Sequence, residues 1–408
     1  MARFVVVGAG VVGVCSAYEL SRAGHSVTLV DRHDGPCGET SARNGAQLSY
    51  AYSDAMASPA LLSHLPGIVM GRDPAYRVRL QTDPEFLLWG LRFLVNAGSG
   101  RFLGNTRYLL GMAAASQAAM AELLHKHDLQ FDYAVAGKLI LYSSPQSFAG
   151  VQAGFRLKTG LGFRQQLLGR DEATAIEPAL AGYRDPIAGA VYSPEDAVGQ
   201  PHLFCERLID VMQTRHGLDV RLGHAVARID ASRGQQVRLH LAGGEVLAAD
   251  GAVLCTGQTG GLAAGLAEFA ASWPVQGYSM TVPALSGAMK VSITDVKRKT
   301  VFARIGDKVR IAGIADIGKR RLSFDPKRFE VLRQSASEAF VGCYDVSPSA
   351  PLEPWTGARA MTPSSRPIIR RDKRTGLYLN MAYGGLGWTL ALGAAAKLGE
   401  LIAADFPR

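Results

Sequence analysis

Three glycines near the start of the chain have the spacing of a nucleotide-binding turn. Gly8, Gly10 and Gly13 follow the apolar run FVVV and precede helix-compatible residues. Such a turn lets the backbone approach a pyrophosphate, and the free N–H groups of the helix then bind the phosphate oxygens. A second strand, SVTLVD, ends at Asp31, whose carboxylate can accept hydrogen bonds from both hydroxyls of an adenosine ribose. The spacing therefore predicts a Rossmann-type dinucleotide site, and the acid disfavours the extra phosphate of NADP.

The same apolar start has a second interpretation, as an export signal. Arg3 and the run from Phe4 to Cys15 supply a basic residue, an apolar stretch and a cysteine of the kind found in lipoprotein signals. The glycine spacing and the second strand favour the nucleotide site, because an export signal needs neither.

Two further segments have the composition of a cofactor site. Residues 37–49, CGETSARNGAQLS, are rich in small and hydrogen-bonding residues, although an ordinary polar loop has the same composition. Near the C terminus, YGGLGWTLALGAAA passes from glycines into a helix, with Thr389 close to the helix start. A helix N terminus attracts negative charge, and a reduced flavin gathers negative charge on its pyrimidine side. The opening motif by itself leaves both FAD and NAD open.

The elements between these segments are a mixture of helices and strands. With 408 residues the chain is long for one core, so two domains are expected. The pattern predicts helices near 106–128 and 200–215, and an apolar strand at 251–257 that meets Thr256 and Gly257. Further strands are predicted at KLILYSS, AGAVYS, DVRLGHAVARIDA and QVRLHLAG.

Several of these segments together resemble a known family. The start of the chain, the loop ETSARNGAQLS, GYSMTVP at 277–283, WTGARAMTP at 355–363 and LYLNMAYGGLGWTLALGAAA at 377–396 resemble the FAD-dependent amine and amino-acid oxidoreductases. They are most similar to the bacterial D-amino acid dehydrogenases of the small-subunit type. The resemblance implies an α/β fold with a discontinuous Rossmann-type FAD-binding domain and an inserted α+β antiparallel-sheet substrate domain. The ranges are 1–75, 165–268 and 345–408 for the FAD-binding domain, and 76–164 and 269–344 for the substrate domain.

The resemblance also assigns residues to FAD. They are Gly8, Gly10, Val11, Val12, Gly13, Asp31, Arg32, Ser41, Asn44, Gly45, Gln47, Val226, Thr256, Gly257, Gly384, Gly385, Leu386, Gly387, Trp388 and Thr389.

Three residues are expected at the substrate. Arg359 stands where similar enzymes place the arginine that binds a substrate carboxylate through two parallel hydrogen bonds. Tyr278 is expected to add a phenol hydrogen bond to the same carboxylate, with a core tyrosine as an equal alternative. Tyr52 resembles a family residue near the substrate. No metal and no general base are expected, because the lone pair of a neutral amine drives hydride departure.

The resemblance implies that a D-amino acid loses a hydride from its α carbon to flavin N5. The products are a 2-oxo acid and ammonia, and the electrons pass to a quinone or another carrier. An enzyme of the same fold acting on a secondary amine, such as D-proline, hydroxy-D-proline, sarcosine or glycine, is an alternative. A non-catalytic FAD-binding subunit of a complex is an alternative of another class, and the oligomeric state is left open.

The charge balance limits the other partners. The chain has 44 Lys plus Arg against 35 Asp plus Glu, with short basic clusters at 297–299, 319–321 and 370–374. Without a long basic run, no nucleic-acid partner is expected. A solvated surface, steering of an anionic substrate and weak attachment to phospholipid stay open. Five scattered cysteines without a CxxC pair favour a reducing cytoplasm. We expect a cytoplasmic protein, with peripheral contact at the inner face of the cell membrane as a further expectation.

Overall fold

The computed structural model describes residues 1–232, 235–257, 272–372 and 375–407. The strands are β1 (Arg3–Val7), β2 (Ser26–Val30), β3 (Gln47–Leu48), β4 (Tyr76–Val78), β5 (Lys138–Tyr142), β6 (Gln166–Leu168), β7 (Gly189–Ser193), β8 (Ala197–Val198), β9 (Asp219–Arg221), β10 (Val226–Asp230), β11 (Val237–Leu241), β12 (Val246–Ala249), β13 (Gly251–Leu254), β14 (Trp273–Pro283), β15 (Ser292–Asp295), β16 (Thr300–Ile305), β17 (Lys308–Ile317), β18 (Glu353–Met361), β19 (Ile368–Arg371) and β20 (Leu377–Met381). The α-helices are α1 (Val11–Arg22), α2 (Pro59–Val69), α3 (Pro84–Asn96), α4 (Ser99–Lys126), α5 (Pro145–Ala149), α6 (Gln152–Gly160), α7 (Arg170–Ile176), α8 (Pro201–His216), α9 (Pro326–Ala339) and α10 (Gly387–Asp405).

A six-stranded, mostly parallel sheet contains the first strand of the chain. Its order is β19-β20-β13-β1-β2-β9, and only the β19–β20 pair is antiparallel. Alternate residues of β1 point to opposite faces: Phe4 and Val6 pack with α1, α4, α8 and α10, whereas Val5 and Val7 pack with β10, β11 and β12. Both faces are therefore covered, which explains why β1 is apolar without alternation. The predicted strand, turn and helix at the start of the chain are confirmed.

A nine-stranded, mainly antiparallel sheet forms the second half of the fold. Its order is β18-β14-β17-β16-β15-β5-β7-β6, and β4 pairs with β17. One face of this sheet packs on α9 through Met280, Ile311 and Phe302. The other face meets the loop around residues 41–49, where the Ser279 hydroxyl donates to the Arg43 carbonyl at 2.7 Å.

The sequence-based domain ranges place three strands of the larger sheet in the FAD-binding domain. Strands β6, β7 and β18 pair with substrate-domain strands instead. Their sequences predict strands, but the partner of a strand is set by contacts distant in sequence. The proposed boundary between 268 and 269 lies outside the described residues, and the division into two domains stays a prediction.

The other predicted elements are found with shifted ends. The helix expected near 106–128 is α4, which begins earlier at Ser99, and the helix expected near 200–215 is α8. Among the described residues, no helix is long and apolar enough to cross a membrane.

The turn after β1 depends on one close backbone approach. A Cβ added at Gly13 would lie 1.7 Å from the Gly8 carbonyl oxygen, and Gly8 itself has φ +107°. The start of α1 therefore lies directly on the end of β1, at a distance that only glycine allows at both positions.

We expect Gly13→Ala to destabilise the chain by about 1–3 kcal/mol or more, because the new methyl group overlaps the Gly8 carbonyl oxygen. Urea unfolding of the purified protein measures this change. The matched control is Gly111→Ala, since Gly111 is exposed inside α4 and its added Cβ would meet no atom within 4 Å. That control should gain about 1 kcal/mol. Equal stabilities for the two variants would contradict the close approach.

Candidate cofactor and substrate site

The N terminus of α1 is open toward the glycine turn. Gly10 is the N-cap residue, and no side chain caps the helix through it. The Ser41 hydroxyl accepts a hydrogen bond from the Val11 N–H at 3.2 Å. The first turn, which includes Val12 and Gly13, therefore presents backbone N–H groups and the positive end of the helix dipole to a ligand.

Asp31 lies at the end of β2 beside this turn. Its two carboxylate oxygens accept from the N–H groups of Ala9 at 2.6 Å and His33 at 2.9 Å. The next residue, Arg32, is exposed and pairs with Glu39. Val226 begins β10 and packs against the side of the sheet that contains Val5. Asp31 thus stabilises the turn itself. Its remaining lone pairs can accept the ribose hydroxyls that the sequence predicts at this position.

The predicted cofactor loop crosses between the two sheets. The Asn44 side chain accepts from the Ala46 N–H at 2.8 Å, and Ala46 has φ +56°. A Cβ added at Gly45 would lie 3.1 Å from Val301 on β16. Gln47 donates to the carbonyls of β15 and β16 at 3.3–3.4 Å. The loop therefore lies on the larger sheet, whereas Ser41 contacts α1.

Two later segments return to the same place. Thr256 and Gly257 follow β13, and the carbonyl of the preceding Cys255 lies 2.7 Å from a Cβ built on Gly8. The glycine-rich segment before α10 includes Gly384, with φ +57°, and Gly385, whose added Cβ would meet no atom within 4 Å.

The start of α10 is joined to the cofactor loop. Leu386 is its N-cap residue, Gly387 is its first residue, and no side chain caps it. Thr389 accepts from the Ser49 N–H at 3.3 Å and donates to the Gln47 carbonyl at 3.5 Å. Trp388 points away into the core, 5.0 Å from the ring of Phe204.

These segments fit a dinucleotide with a flavin. The start of α1 has a glycine as its N-cap residue, the turn before it is one that only glycine allows, and an acid follows the second strand. These features suit a pyrophosphate and an adenosine ribose. The second open helix end, at α10, suits the negative charge of a reduced flavin. The individual assignments to FAD stay predictions.

Arg359 lies on β18, on the face of the larger sheet that meets loop 41–49. Its guanidinium lies over Gly277, where an added Cβ would be 2.4 Å from the guanidinium carbon. It donates to the Ile314 carbonyl at 3.0 Å and the Gly313 carbonyl at 3.4 Å. Burial lowers the pKa of Arg359 from its ordinary value. Within the described ranges no carboxylate pairs with it, so its positive charge is available to an anionic ligand.

Tyr278 does not share the position of Arg359. Arg359 is directly opposite Val275 in the β14–β18 pair, and Tyr278 is opposite Thr356. Residues three apart on a strand point to opposite faces, so the Tyr278 ring lies on the α9 side, in the core that also contains Met280. The expected hydrogen bond from Tyr278 to the same carboxylate is therefore not supported. The sequence did not reveal this, because the register of β18 is a long-range property.

Tyr52 lies in a group of side chains that sequence reasoning missed. Lys138 and Lys158 face its ring at 5.0 Å and 5.5 Å from the centroid. Burial raises the pKa of Tyr52 well above its ordinary value. Tyr76 interacts electrostatically with both Tyr52 and Arg359. The only signal for Lys138 was a lysine at the start of an apolar strand.

This arrangement is typical of a flavin-dependent oxidoreductase. One sheet and two helix N termini face the predicted cofactor site, and the second sheet carries the arginine predicted to bind the substrate. The chain belongs to the family described as FAD dependent oxidoreductase, whose model matches residues 3–401. It is an FAD-dependent enzyme, and the expected α/β fold and cofactor are confirmed.

Relatives over the full length agree with this family. The chain is 38% identical to D-amino acid dehydrogenase 2 of Ralstonia nicotianae, over 99% of this chain and 97% of that protein. It is 35% identical to the D-amino acid dehydrogenase of Dechloromonas aromatica, over 99% and 98%. Among solved structures, glycine oxidase from Bacillus cereus has a TM-score of 0.73 at 16% identity, covering 99% of this chain and 96% of that one. This last likeness concerns the fold.

Proposed function

We propose that the protein is a D-amino acid dehydrogenase that oxidises its substrate to a 2-oxo acid and ammonia. The observation that carries the proposal is Arg359, a guanidinium that makes hydrogen bonds to two carbonyls and has no carboxylate partner among the described residues. The names of the relatives that are 35–38% identical support the substrate class.

Arg359 binds and orients the amino acid. Its remaining N–H groups form two parallel hydrogen bonds with the substrate carboxylate. Because the guanidinium is only partly exposed to water, this ion pair is stronger than one on the open surface. Tyr76 and the neighbouring aromatic cluster of Trp273, Phe86 and Trp89 form an apolar wall beside it. When bound, FAD accepts the hydride from the substrate's α carbon.

Within this proposal the electrons pass to a quinone or another carrier, and the protein is cytoplasmic. All five cysteines are free and buried, which supports a reducing compartment. The experiments below distinguish this proposal from two alternatives. One is an enzyme that acts on D-proline, hydroxy-D-proline, sarcosine or glycine, and the other is an FAD-binding subunit without activity.

Anaerobic mixing with a panel of D-amino acids should bleach the flavin absorbance, whereas the L-enantiomers should not. Arg359 fixes the substrate carboxylate and the apolar wall beside it restricts the side chain, so one enantiomer directs its α hydrogen toward the flavin. Bleaching only by D-proline, sarcosine or glycine would replace the proposed substrate class. A flavin that no member of the panel bleaches would indicate the non-catalytic subunit. Peroxide formation compared with quinone reduction identifies the acceptor.

Arg359→Met should raise KM for the D-amino acid about 100-fold while FAD stays bound, since two charge-assisted hydrogen bonds are lost. Arg359→Lys should recover part of this loss. Tyr278→Phe should leave KM unchanged, because its ring lies on the opposite face of the sheet. Steady-state kinetics measure all three. A large rise in KM for Tyr278→Phe would restore the sequence-based placement of this residue.

A surface on α3 supports the proposed peripheral membrane contact. Phe86 and Trp89 anchor the helix, and its opposite face exposes Leu87, Leu91 and neighbouring apolar residues, with Leu87 54% and Leu91 61% exposed. The basic cluster at 319–321 lies beside it, because Arg320 pairs with Asp83 and Glu85 at the helix start. Because Arg320 is neutralised by these acids, Lys319 and Arg321 supply the positive charge beside the apolar side chains, a combination that suits an anionic lipid surface.

We expect the protein to bind vesicles of anionic phospholipid and the double variant Leu87→Asp with Leu91→Asp to bind at least tenfold more weakly. Sedimentation with vesicles measures binding. Leu161→Asp is the matched control, because Leu161 is 46% exposed elsewhere on the molecule. A wild-type protein that stays in solution with these vesicles would refute the membrane contact.

A further inference from the structure

Two buried cations lie under the cofactor loop, and neither is used by the proposed reaction. Arg310 on β17 is 2% exposed and Lys138 on β5 is 1% exposed. In the part of the chain that the structure describes, neither forms an ion pair within 4.0 Å of a carboxylate. Buried charges without a partner are costly, so the contacts that satisfy them are informative.

Arg310 holds the first half of the loop. Its guanidinium donates to the Asn44 carbonyl at 2.9 Å and to the Ala42 carbonyl at 3.5 Å. Its Nε donates to the Thr281 hydroxyl at 2.6 Å, which fixes the side chain against the sheet. These two loop residues flank Arg43, whose carbonyl accepts from Ser279.

Lys138 holds the second half of the loop. Its ammonium donates to the Gln47 side-chain oxygen at 2.5 Å and to the Ser49 hydroxyl at 2.8 Å. Gln47 and Ser49 are the residues that bond to Thr389 at the start of α10. Lys138 is therefore connected through two residues to the helix end that suits the flavin.

The two cations occupy one row of the larger sheet. Arg310 pairs with Ala303, and Lys138 pairs with Ser292. Because Ile293 lies opposite Phe302, Ser292 lies opposite Ala303, and the two pairs fall in one row across the sheet. The cations are therefore three strands apart, or about 14 Å. Between them Ala46 packs on the small side chain of Ala303. The loop thus lies close to the sheet where the side chains are small, with one cation at each end of the loop.

We propose that Arg310 and Lys138 are positioning residues that form a two-cation clamp, in which they hold four oxygens of loop 41–49 so that the loop fits FAD. Backbone and side-chain oxygens of the loop, and not carboxylates, accept the hydrogen bonds of the two cations. The clamp is separate from Arg359 and from the identity of the substrate.

The charge of Lys138 responds to pH. Burial is the main cause that lowers the pKa of Lys138 to about 8; Asp196 opposes the shift and Lys158 adds to it. The other group facing it is the ring of Tyr52, and its bonding partners Gln47 and Ser49 are uncharged. Below pH 8 the ammonium makes charge-assisted bonds to the loop, and above pH 8 a neutral amine makes weaker ones.

The test measures FAD binding without substrate. Apoprotein is titrated with FAD and the quenching of flavin fluorescence gives Kd. Arg310→Met and Lys138→Met should each weaken FAD binding at least tenfold, and Arg310→Lys should recover part of the loss. Arg238→Met and Lys126→Met are the matched controls, because both residues are exposed and lie on β11 and at the end of α4. They should bind FAD like the wild type.

A pH series separates positioning from general stability. The FAD dissociation rate of the wild type should rise as pH increases through about 8, and that of Lys138→Met should not change there. If the methionine variants do not fold, Thr281→Val, which removes one acceptor of Arg310, should weaken FAD binding in a folded protein. FAD affinities within twofold of wild type in the folded variants would overturn the clamp, whatever the substrate panel shows.

Discussion

Positive charge that no carboxylate of the described residues contacts directly, on one face of the nine-stranded sheet, is the constraint around which the site is built. Arg359, Arg310 and Lys138 all lie on this face. Removing such groups from water costs several kcal/mol each unless other atoms replace the lost hydration. Carbonyls of β17 and oxygens of the cofactor loop provide that replacement. The path of the loop and the irregular register of β17 are therefore linked to the same electrostatic requirement.

The six-stranded sheet also contributes positive charge to the site, through helix ends. It directs the starts of α1 and α10, which carry partial positive charge, at the space between the sheets. Partial positive charge from helix ends and full positive charge from the larger sheet thus converge from two sides. An anionic cofactor and an anionic substrate are the ligands that such a field suits, and acidic groups nearby are few. Glu353, which pairs with Arg43, is one of them, and Asp196, which lies near Lys138, is another; burial raises the pKa of Asp196 to about 6.

Local features of the site could be predicted from sequence, and long-range ones could not. The glycine turn, Asp31 and the start of α10 are defined by spacing within short segments, and the structure brings them together as expected. The side chain of Tyr278 depends on which residue of β18 lies opposite it, and that pairing joins segments more than 70 residues apart. Arg310 and Lys138 were missed for a related reason. A basic residue in a strand is usually exposed, and only the position of the loop above them makes their burial understandable.

The backbone beside Arg359 shows how the arginine is held without an acid. Opposite Gly277, β17 contains two residues, Ile314 and Ala315, where the regular register allows one. This bulge gives Ile314 a φ of +62°, which is costly for a β-branched residue. It also turns the carbonyls of Gly313 and Ile314 toward the same guanidinium. A carboxylate in their place would hold Arg359 more tightly but would compete with the substrate for it. The strained backbone of β17 therefore orients the guanidinium through two carbonyls, and the guanidinium can still bind an anionic ligand.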